Sequence, residues 1–314
     1  MLRTAWVVLA LTTAGALASC GGEAADDAAD PTPTASASSA SPSVDTAAAA
    51  AAATSAEACA TPTISGTDGD DMDLAGTDGD DVIDAGAGND VIEAGAGNDV
   101  ICGGEGEDLV RGGDGDDTLF GGDDSDVISG DAGNDRLVGG ANLVRTGFEV
   151  PDVLLGGAGD DTLEGAGDDA EPTKAPDIVS FVTAKAGVTI DLAALTATGD
   201  GNDTLVEGRW IVRGTKHDDT IDGSPGDDVI FGFGGNDEIT TFAGDDIVND
   251  DADPEAEASD AKPGDDTIDV GPGNDRVTSI GSADKLEGGP GSDELDGNPQ
   301  GGCAGFEKGP AVCR

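Results

Sequence analysis

The sequence contains seven nine-residue units that follow one another without a gap between Gly76 and Val138. They read GTDGDDVID, AGAGNDVIE, AGAGNDVIC, GGEGEDLVR, GGDGDDTLF, GGDDSDVIS and GDAGNDRLV. Each unit begins with small residues and usually has glycine at its fourth position. Aspartate stands at the sixth position and an aliphatic residue at the eighth. A unit this short cannot bury its aliphatic side chain alone, so the repeats must stack on one another.

The spacing within the unit predicts a turn followed by a short strand. The last three residues give a strand about one pleat long, with a single inward side chain at the eighth position. Two units, roughly 18 residues, return the chain to the same side. We therefore predict an all-β fold, a parallel β-roll of roughly eight or nine coils with short loop inserts, in which coils stack about 4.8 Å apart. The predicted core residues are Ile83, Ile92, Ile101, Val110, Leu119, Ile128, Leu137, Ile221, Ile230, Ile239 and Val248.

Glycine at the fourth position allows the turn to pass through positive φ and to approach a neighbouring turn closely. The predicted turn glycines are Gly79, Gly88, Gly97, Gly106, Gly115, Gly133, Gly226, Gly235, Gly244, Gly264, Gly273 and Gly291.

The sixth-position aspartates of units n and n+2 are expected to lie over one another on the same edge of the roll, Asp90 over Asp108 for example. Their carboxylates would converge with turn carbonyls, and an oxygen-only cluster suits a hard cation. The aspartates predicted to bind metal in this way are Asp71, Asp81, Asp90, Asp99, Asp108, Asp117, Asp126, Asp135, Asp161, Asp219, Asp228, Asp237, Asp246, Asp266, Asp275, Asp284 and Asp293.

Charge makes such a cation necessary for folding. The chain has 66 Asp and Glu residues against 14 Lys and Arg residues, a formal net charge of −52. Stacked carboxylates would repel one another, and low hydrophobicity with high net charge favours disorder. A divalent ion between the edges would turn binding energy into folding energy. The same charge argues against nucleic acid as a partner, because phosphates would be repelled.

The repeat resembles the RTX, or haemolysin-type calcium-binding, nonapeptide G-G-x-G-x-D-x-U-x, where U is a large aliphatic residue. The resemblance implies a β-roll that binds several Ca²⁺ ions. The stretch after Pro172 resembles the segments that often interrupt RTX arrays, through Asp177, Val179–Ser180, Gly187–Val188, Ile190–Leu192 and Asp203–Leu205. We read it as longer β coils that continue the solenoid.

The N-terminal residues predict export. Residues 1–19 have an early arginine and an apolar run too short to span a membrane, which is typical of a signal peptide. The run ends Leu17-Ala18-Ser19-Cys20. This resembles the bacterial lipobox, and the resemblance implies a lipidated Cys20 that anchors the chain outside the cytoplasmic membrane. An ordinary secretory signal, with an incidental Cys20, is the alternative.

The remaining boundaries follow composition and repeat pattern. An Ala/Ser/Thr/Pro-rich stretch with little to bury predicts a disordered tether. The acidic run Asp250–Asp260 has no aliphatic side chain larger than alanine and predicts an exposed loop. The expected divisions are the signal peptide 1–19, the lipidated cysteine and tether 20–58, the first array 59–140, the interrupted segment 141–213, the second array 214–296 with its insert 250–260, and a C-terminal cap 297–314.

Four cysteines remain if Cys20 is lipidated, and an even number in an exported chain favours disulfides. Three pairings of Cys59, Cys102, Cys303 and Cys313 are possible. A Cys303–Cys313 bond needs little reach, and a Cys59–Cys102 bond would fasten the N-terminal arm to the third regular unit. The latter arrangement is the one that the RTX resemblance implies.

No catalytic motif is recognisable. The single histidine, His217, excludes an H-E-x-x-H metalloprotease motif, and neither a G-x-S-x-G motif nor a P-loop is present. We expect a calcium-folded surface spacer, adhesin or scaffold that is not an enzyme and whose surface partner is unknown. The alternative is a hydrolase or other enzyme with its site in residues 148–213. A flat ice- or glycan-binding face would need a regular threonine ladder, for which the threonines are too scattered.

Overall fold

The computed structural model describes residues 55–141, 150–165, 176–206, 208–250, 264–279, 283–297 and 301–306. This part of the chain contains one short helix, α1 (Ser55–Ala58), and 25 strands. The first twelve strands are β1 (Ile64–Ser65), β2 (Leu74–Ala75), β3 (Val82–Ala87), β4 (Val91–Ala96), β5 (Val100–Glu105), β6 (Leu109–Asp114), β7 (Thr118–Asp123), β8 (Val127–Ala132), β9 (Arg136–Ala141), β10 (Val153–Ala158), β11 (Thr162–Glu164) and β12 (Asp177–Ser180). The others are β13 (Thr189–Asp191), β14 (Thr196–Thr198), β15 (Asn202–Leu205), β16 (Trp210–Arg213), β17 (Thr220–Asp222), β18 (Val229–Phe231), β19 (Glu238–Thr240), β20 (Ile247–Asn249), β21 (Thr267–Asp269), β22 (Arg276–Ser279), β23 (Lys285–Glu287), β24 (Glu294–Gly297) and β25 (Gly302–Ala304).

The strands alternate between two sheets, and each pairs in parallel with the strand two further along through most of the chain. Sheet A has 14 strands in the order β1-β3-β5-β7-β9-β11-β15-β14-β13-β17-β19-β21-β23-β25. Sheet B has 11 strands in the order β2-β4-β6-β8-β10-β12-β16-β18-β20-β22-β24. This architecture confirms the predicted parallel β-roll. The prediction of eight or nine coils is too low, because the interrupted segment and both ends of the roll also contribute strands.

Strand length differs between the arrays. Each strand from β3 to β9 has six residues, because pairing continues into the first three residues of the next unit. Such strands have two inward positions, which Ile83 and Ala85 occupy in β3, so the prediction of a one-pleat strand is wrong here. Strands β17 to β21 and β23 have three residues. Strands β17, β21 and β23 end three residues before Pro225, Pro272 and Pro290, whose missing N–H cannot extend a strand ladder.

The eighth-position side chains form the core. All eleven predicted core residues are buried, none with more than 1% of its surface exposed. Ile83 lies opposite Ile101, and Ile101 lies opposite Leu119, so one aliphatic column runs along sheet A. Burying each such side chain contributes about 1.5–3 kcal/mol. Each repeat unit thus contributes one large aliphatic side chain to the core, and its glycine and aspartate turn forms the edge.

The interrupted segment continues both sheets, as predicted, but the pairing in sheet A changes direction. Strand β11 pairs with β15, and β15, β14 and β13 form an antiparallel meander before β13 pairs in parallel with β17. Leu195, with a φ of 58°, lies in the turn between β13 and β14. The meander puts three strands of sheet A beside two of sheet B, β12 and β16.

The meander also brings together threonines that are far apart in sequence. Thr162 pairs with Thr204 and Thr189 pairs with Thr220. Charged residues lie at both ends of this cluster, because Arg136 pairs with Thr162 and Glu238 pairs with Thr220 on the neighbouring strands. The threonines are therefore clustered, contrary to the sequence argument, but they do not form a regular ladder.

The N-terminal arm is fastened to the outer face of sheet A. A disulfide joins Cys59 to Cys102 across a sequence separation of 43 residues, which confirms that prediction. The two cysteines pack with Phe120, and Val82 and Val100 lie against this cluster. Cys303 is also disulfide-bonded. Its predicted partner, Cys313, lies outside the described residues.

Several predictions concern residues that the structure does not describe: the signal peptide, Cys20, the tether as far as residue 54, and most of the acidic insert. Asp250, the first residue of that insert, is only 1% exposed, so the expected exposed loop does not begin there. Among the described residues, no helix has the length and apolar character needed to cross a membrane.

Candidate metal centre

The sixth-position aspartates stack along the two edges of the roll in the predicted register. The backbone N–H of each donates a hydrogen bond to Oδ1 of the aspartate two units further along, at 2.7–3.2 Å. The A-edge ladder, before the strands of sheet A, contains Asp81, Asp99, Asp117, Asp135, Asp161 and Asp203, and then Asp219, Asp237, Asp266 and Asp284. The B-edge ladder contains Asp71, Asp90, Asp108, Asp126, Asp152 and Asp177, and then Asp228, Asp246, Asp275 and Asp293.

Three aspartates of these ladders were not among the predicted metal ligands. Asp152, Asp177 and Asp203 continue the ladders through the interrupted segment and are at most 6% exposed. The glycine pattern lapses around them, which is why repeat matching misses them. Each is followed by one residue and then a buried aliphatic residue, as in Asp152-Val153-Leu154, and this shorter signal could have found them.

The second carboxylate oxygen distinguishes many of these residues. In eight ladder aspartates Oδ1 accepts a backbone N–H, whereas Oδ2 is buried and has no hydrogen-bond partner. They are Asp90, Asp99, Asp108, Asp117, Asp126, Asp135, Asp161 and Asp275. A buried charged oxygen without a partner costs several kcal/mol unless a proton or a cation satisfies it.

Burial changes the acidity of these carboxyl groups. Desolvation raises the pKa of Asp126 to about 9, with the neighbouring charges of Asp152 and Asp108 adding to the rise. Desolvation likewise raises the pKa of Asp108 to about 7 and that of Asp135 to about 7. In each case a backbone N–H from the preceding rung acts in the opposite direction. These aspartates therefore resist ionisation unless a positive charge is placed beside them.

The first-position glycines lie against these free oxygens. A Cβ at Gly121 would overlap Oδ2 of Asp126 and would lie 2.6 Å from the carbonyl oxygen of Gly139, the first residue two units further along. Carboxylate oxygen and turn carbonyl therefore face the same small space. The missing Cβ at Gly121 leaves that space open.

Seven of the twelve predicted turn glycines have the positive φ that the sequence predicts. Positive φ occurs at Gly88, Gly97, Gly106, Gly115, Gly133, Gly235 and Gly244. Gly79, Gly226, Gly264, Gly273 and Gly291 do not have it. Glycines at the second position of the first-array units also have positive φ, for example Gly86 at 104° and Gly95 at 112°.

Six further ladder aspartates have Oδ2 paired with a nearby group of their own unit. Thr77 donates both its N–H and its hydroxyl to Oδ2 of Asp81, each at 2.8 Å. The side-chain hydrogen bond from Thr77 is the main reason that the pKa of Asp81 is lowered. Residues with equivalent pairings are Asp71, Asp219, Asp228, Asp246 and Asp284.

One group of carboxylates departs from the pairwise pattern. Oxygens of Asp250, Asp266 and Asp284 lie within 4.8 Å of one another, and all three residues are buried. Asp250 occupies the first position of a unit, where glycine is usual, and so adds a third carboxylate to two rungs of the A-edge ladder.

The ladders have the donor set of a hard-cation site. They offer carboxylate and carbonyl oxygens only, in regular rows, with buried oxygens that lack a hydrogen bond. Calcium prefers six to eight such oxygens in flexible geometry. The fold and the ladders together define an acidic β-roll repeat protein whose edges are built for divalent cations.

Comparison with known families agrees with this description. The model of the RTX calcium-binding nonapeptide repeat (4 copies) matches residues 75–110, 111–142, 146–169, 213–249 and 278–299. These segments are RTX calcium-binding nonapeptide repeats, and Ca²⁺ is the ion that such repeats bind. No curated protein sequence matches the chain.

Proposed function

We propose that the protein is an exported module that folds when it binds calcium and then serves as a surface spacer, adhesin or scaffold. The observation that carries this proposal is the row of eight buried aspartates whose Oδ2 atoms lack a partner. Calcium between rungs n and n+2 would satisfy these oxygens, and carbonyls of the turns would complete its coordination. The candidate ligands in this proposal are the seventeen predicted aspartates, joined by Asp152, Asp177 and Asp203, and the eight with an unpartnered Oδ2 have the strongest support.

Calcium would supply a divalent positive charge at the edges. The residues of the chain orient the oxygens that would bind it. The ladder N–H groups fix Oδ1 of each carboxylate, so Oδ2 points to the space beside the first-position residue. We expect affinities of about 10⁻⁴–10⁻³ M, typical of extracellular modules. Such sites would stay empty where free calcium is scarce and fill after export.

Export is supported by the cysteine chemistry. The Cys59–Cys102 bond requires an oxidising compartment, which the cytoplasm of most cells is not. The proposed location is the outer face of the bacterial cytoplasmic membrane or the cell surface, with a lipid on Cys20 as anchor. A Cys20→Ser variant would then move from the membrane fraction to the soluble fraction.

The proposed role is binding and not catalysis. RTX repeats are in general non-catalytic. Within the described residues of the interrupted segment, Val179, Ile190 and Val212 are committed to the core. Turnover of any ester, glycan or peptide by the folded protein would overturn this part of the proposal.

The test is to measure far-ultraviolet circular dichroism and resistance to protease for the full chain with calcium, with magnesium and with EDTA. We expect full β signal and protease resistance with calcium and a large loss of both with magnesium or EDTA, because magnesium demands octahedral geometry and gives up its water reluctantly. Unchanged dichroism and proteolysis after complete calcium removal at neutral pH would overturn the proposal.

A further inference from the structure

Fourteen of the twenty ladder aspartates fall into two structural groups, and the residue at the first or second position of the unit separates these groups. In one group Oδ2 is buried without a hydrogen bond, and we name these units open: those of Asp90, Asp99, Asp108, Asp117, Asp126, Asp135, Asp161 and Asp275. In the other group a Thr or Ser of the same unit is bonded to the carboxylate, and we name these units closed: those of Asp71, Asp81, Asp219, Asp228, Asp246 and Asp284.

Backbone conformation at the second position explains four of the closed units. Thr67, Thr77, Thr215 and Ser224 stand there, and each donates its backbone N–H to Oδ2 at 2.6–2.8 Å. None of these four has positive φ. Open units such as that of Asp90 have a glycine with positive φ at this position, and its N–H does not donate to the carboxylate. A β-branched threonine adopts positive φ only with strain, so its presence favours the closed turn.

A hydroxyl at the first position explains the other two. Thr241 Oγ1 lies 2.5 Å from Asp246 Oδ2 and 3.0 Å from the carbonyl oxygen of Val270. Thr241 is fully buried. Ser279 Oγ lies 2.6 Å from Asp284 Oδ2 in the same way.

The hydroxyl of Thr241 lies where an open unit has free space. Val270 is the first residue of the unit two further along, just as Gly139 is for Gly121. In both units a carboxylate Oδ2 and that first-position carbonyl face one point. The point is filled by a hydroxyl group beside Asp246, and it is left open by a glycine beside Asp126.

We infer that a hydroxyl residue at the first or second position replaces calcium in its unit, so that the closed units keep their turns without metal and only the open units take up the ion. This inference rests on the proposed function, because it assigns calcium to the ladders. It makes Thr67, Thr77, Thr215, Ser224, Thr241 and Ser279 the residues that limit calcium occupancy.

The order of the units gives the inference a consequence for assembly. Both arrays begin with two closed units, those of Asp71 and Asp81 in the first and those of Asp219 and Asp228 in the second. Each array therefore starts with turns that need no calcium. The first open unit can stack on these turns, which are already folded. This lowers the free energy needed to nucleate the roll.

The test compares Thr241→Gly with Thr241→Ser in the full chain. Thr241→Gly removes the hydroxyl and opens the space between Asp246 Oδ2 and the Val270 carbonyl, whereas Thr241→Ser keeps a hydroxyl there. Bound calcium is counted by equilibrium dialysis and metal analysis at saturating calcium, and thermal unfolding is followed with calcium and with EDTA. We expect Thr241→Gly to bind one more ion than the wild type and Thr241→Ser to bind no more. Thr241→Gly should melt earlier than the wild type in EDTA, and calcium should restore its melting temperature.

The outcomes separate this inference from the proposed function. Equal calcium counts for wild type and Thr241→Gly, with calcium-dependent folding intact, would overturn the inference and leave the function standing. A wild type that binds no calcium would overturn the function itself. Should Thr241→Gly not fold, Ser279→Gly against Ser279→Thr provides the same comparison on the other edge. Thr241→Ser, which keeps the hydroxyl, should behave as the wild type throughout.

Discussion

At the scale of single residues, each open-unit aspartate has two oxygens with different tasks. Oδ1 of Asp108 accepts the N–H of Asp90 at 2.8 Å and so holds two coils in register. Oδ2 has no such partner, and its needs can be met by a proton or by a cation. The same side chain is thus a structural hydrogen-bond acceptor and a candidate metal ligand.

Stability without calcium should depend on pH in the direction set by these residues. Desolvation raises the folded-state pKa of Asp126 to about 9 and that of Asp161 to about 7, whereas an unfolded aspartate has a pKa near 3.9. Between these values the folded state binds more protons than the unfolded state, so the free energy of unfolding falls as pH rises. We expect calcium-free protein to melt at a higher temperature at pH 5 than at pH 8.

Asp126→Asn is the matched control for the pH experiment, because it is neutral at every pH. It should melt with a weaker pH dependence than the wild type in calcium-free buffer. A calcium-free wild type that is more stable at pH 8 would contradict the assignment of Asp126 and its neighbours as protonated in the absence of metal.

Position in the ladder should decide how much a single aspartate matters. Asp108 also donates its N–H to Asp126 at 2.9 Å, so it joins rungs on both sides, whereas Asp293 is the last aspartate of its ladder. Asp108→Ala leaves the buried N–H of Asp90 without its acceptor, at a cost of about 1–3 kcal/mol. We expect it to raise the calcium midpoint more than Asp293→Ala, as measured by circular dichroism.

Asp108→Asn keeps the Oδ1 acceptor and removes the charge, so it should fall between Asp108→Ala and the wild type. Equal calcium midpoints for Asp108→Ala and Asp293→Ala would show that the centre and the end of the stack are equivalent.

At the scale of elements, the meander of β13, β14 and β15 divides the aspartate ladders. Asp203 ends the first part of the A-edge ladder, and the N–H of Val188, not of an aspartate, donates to Asp219 Oδ1 at 2.8 Å. On the other edge Asp177 is the last aspartate of the first part of the ladder, and Trp210 of strand β16 pairs with it at the next rung. Both edges are thus interrupted within the same part of the roll.

This interruption should split calcium-driven folding into two cooperative blocks, since the stability of a stacked repeat is a sum of nearest-neighbour interactions. We expect Asp108→Ala to shift the calcium dependence of residues 71–165 and to leave that of residues 214–250 nearly unchanged. Hydrogen exchange measured peptide by peptide across a calcium titration gives the comparison. An equal shift in both blocks would mean that the meander transmits the coupling.

The elements also show what the sequence can and cannot predict. The nine-residue period fixes which aliphatic residue enters the core, and the stacking of Asp90 on Asp108 follows from it. Alternation from Val188 to Leu192 predicts the strand β13, but nothing in that local pattern says that β13 pairs with β17 and that β15 takes the place beside β11. Partner choice there depends on a turn at Leu195 and on contacts distant in sequence, which a periodic pattern does not encode.

At the scale of the whole molecule, charge and topology act together. The chain has a formal net charge of −52, and each repeat unit contributes only one large aliphatic side chain to the core. Apolar burial is therefore small relative to the repulsion that folding creates, and the hydroxyl-bonded closed units reduce that repulsion at only some rungs. At the other rungs calcium must offset the repulsion between carboxylates. The folded length of the molecule therefore depends on the calcium concentration around it.

The bond between Cys59 and Cys102 also determines how the roll would carry a mechanical load. Tension arriving from the N-terminal side reaches the roll through the covalent bridge and passes directly to strand β5. The stretch between the two cysteines, which are 43 positions apart in the sequence, cannot lengthen while the bridge is intact. In single-molecule pulling, the contour length released should therefore increase by that stretch once a reductant is added, and an unchanged length would rule out this load path.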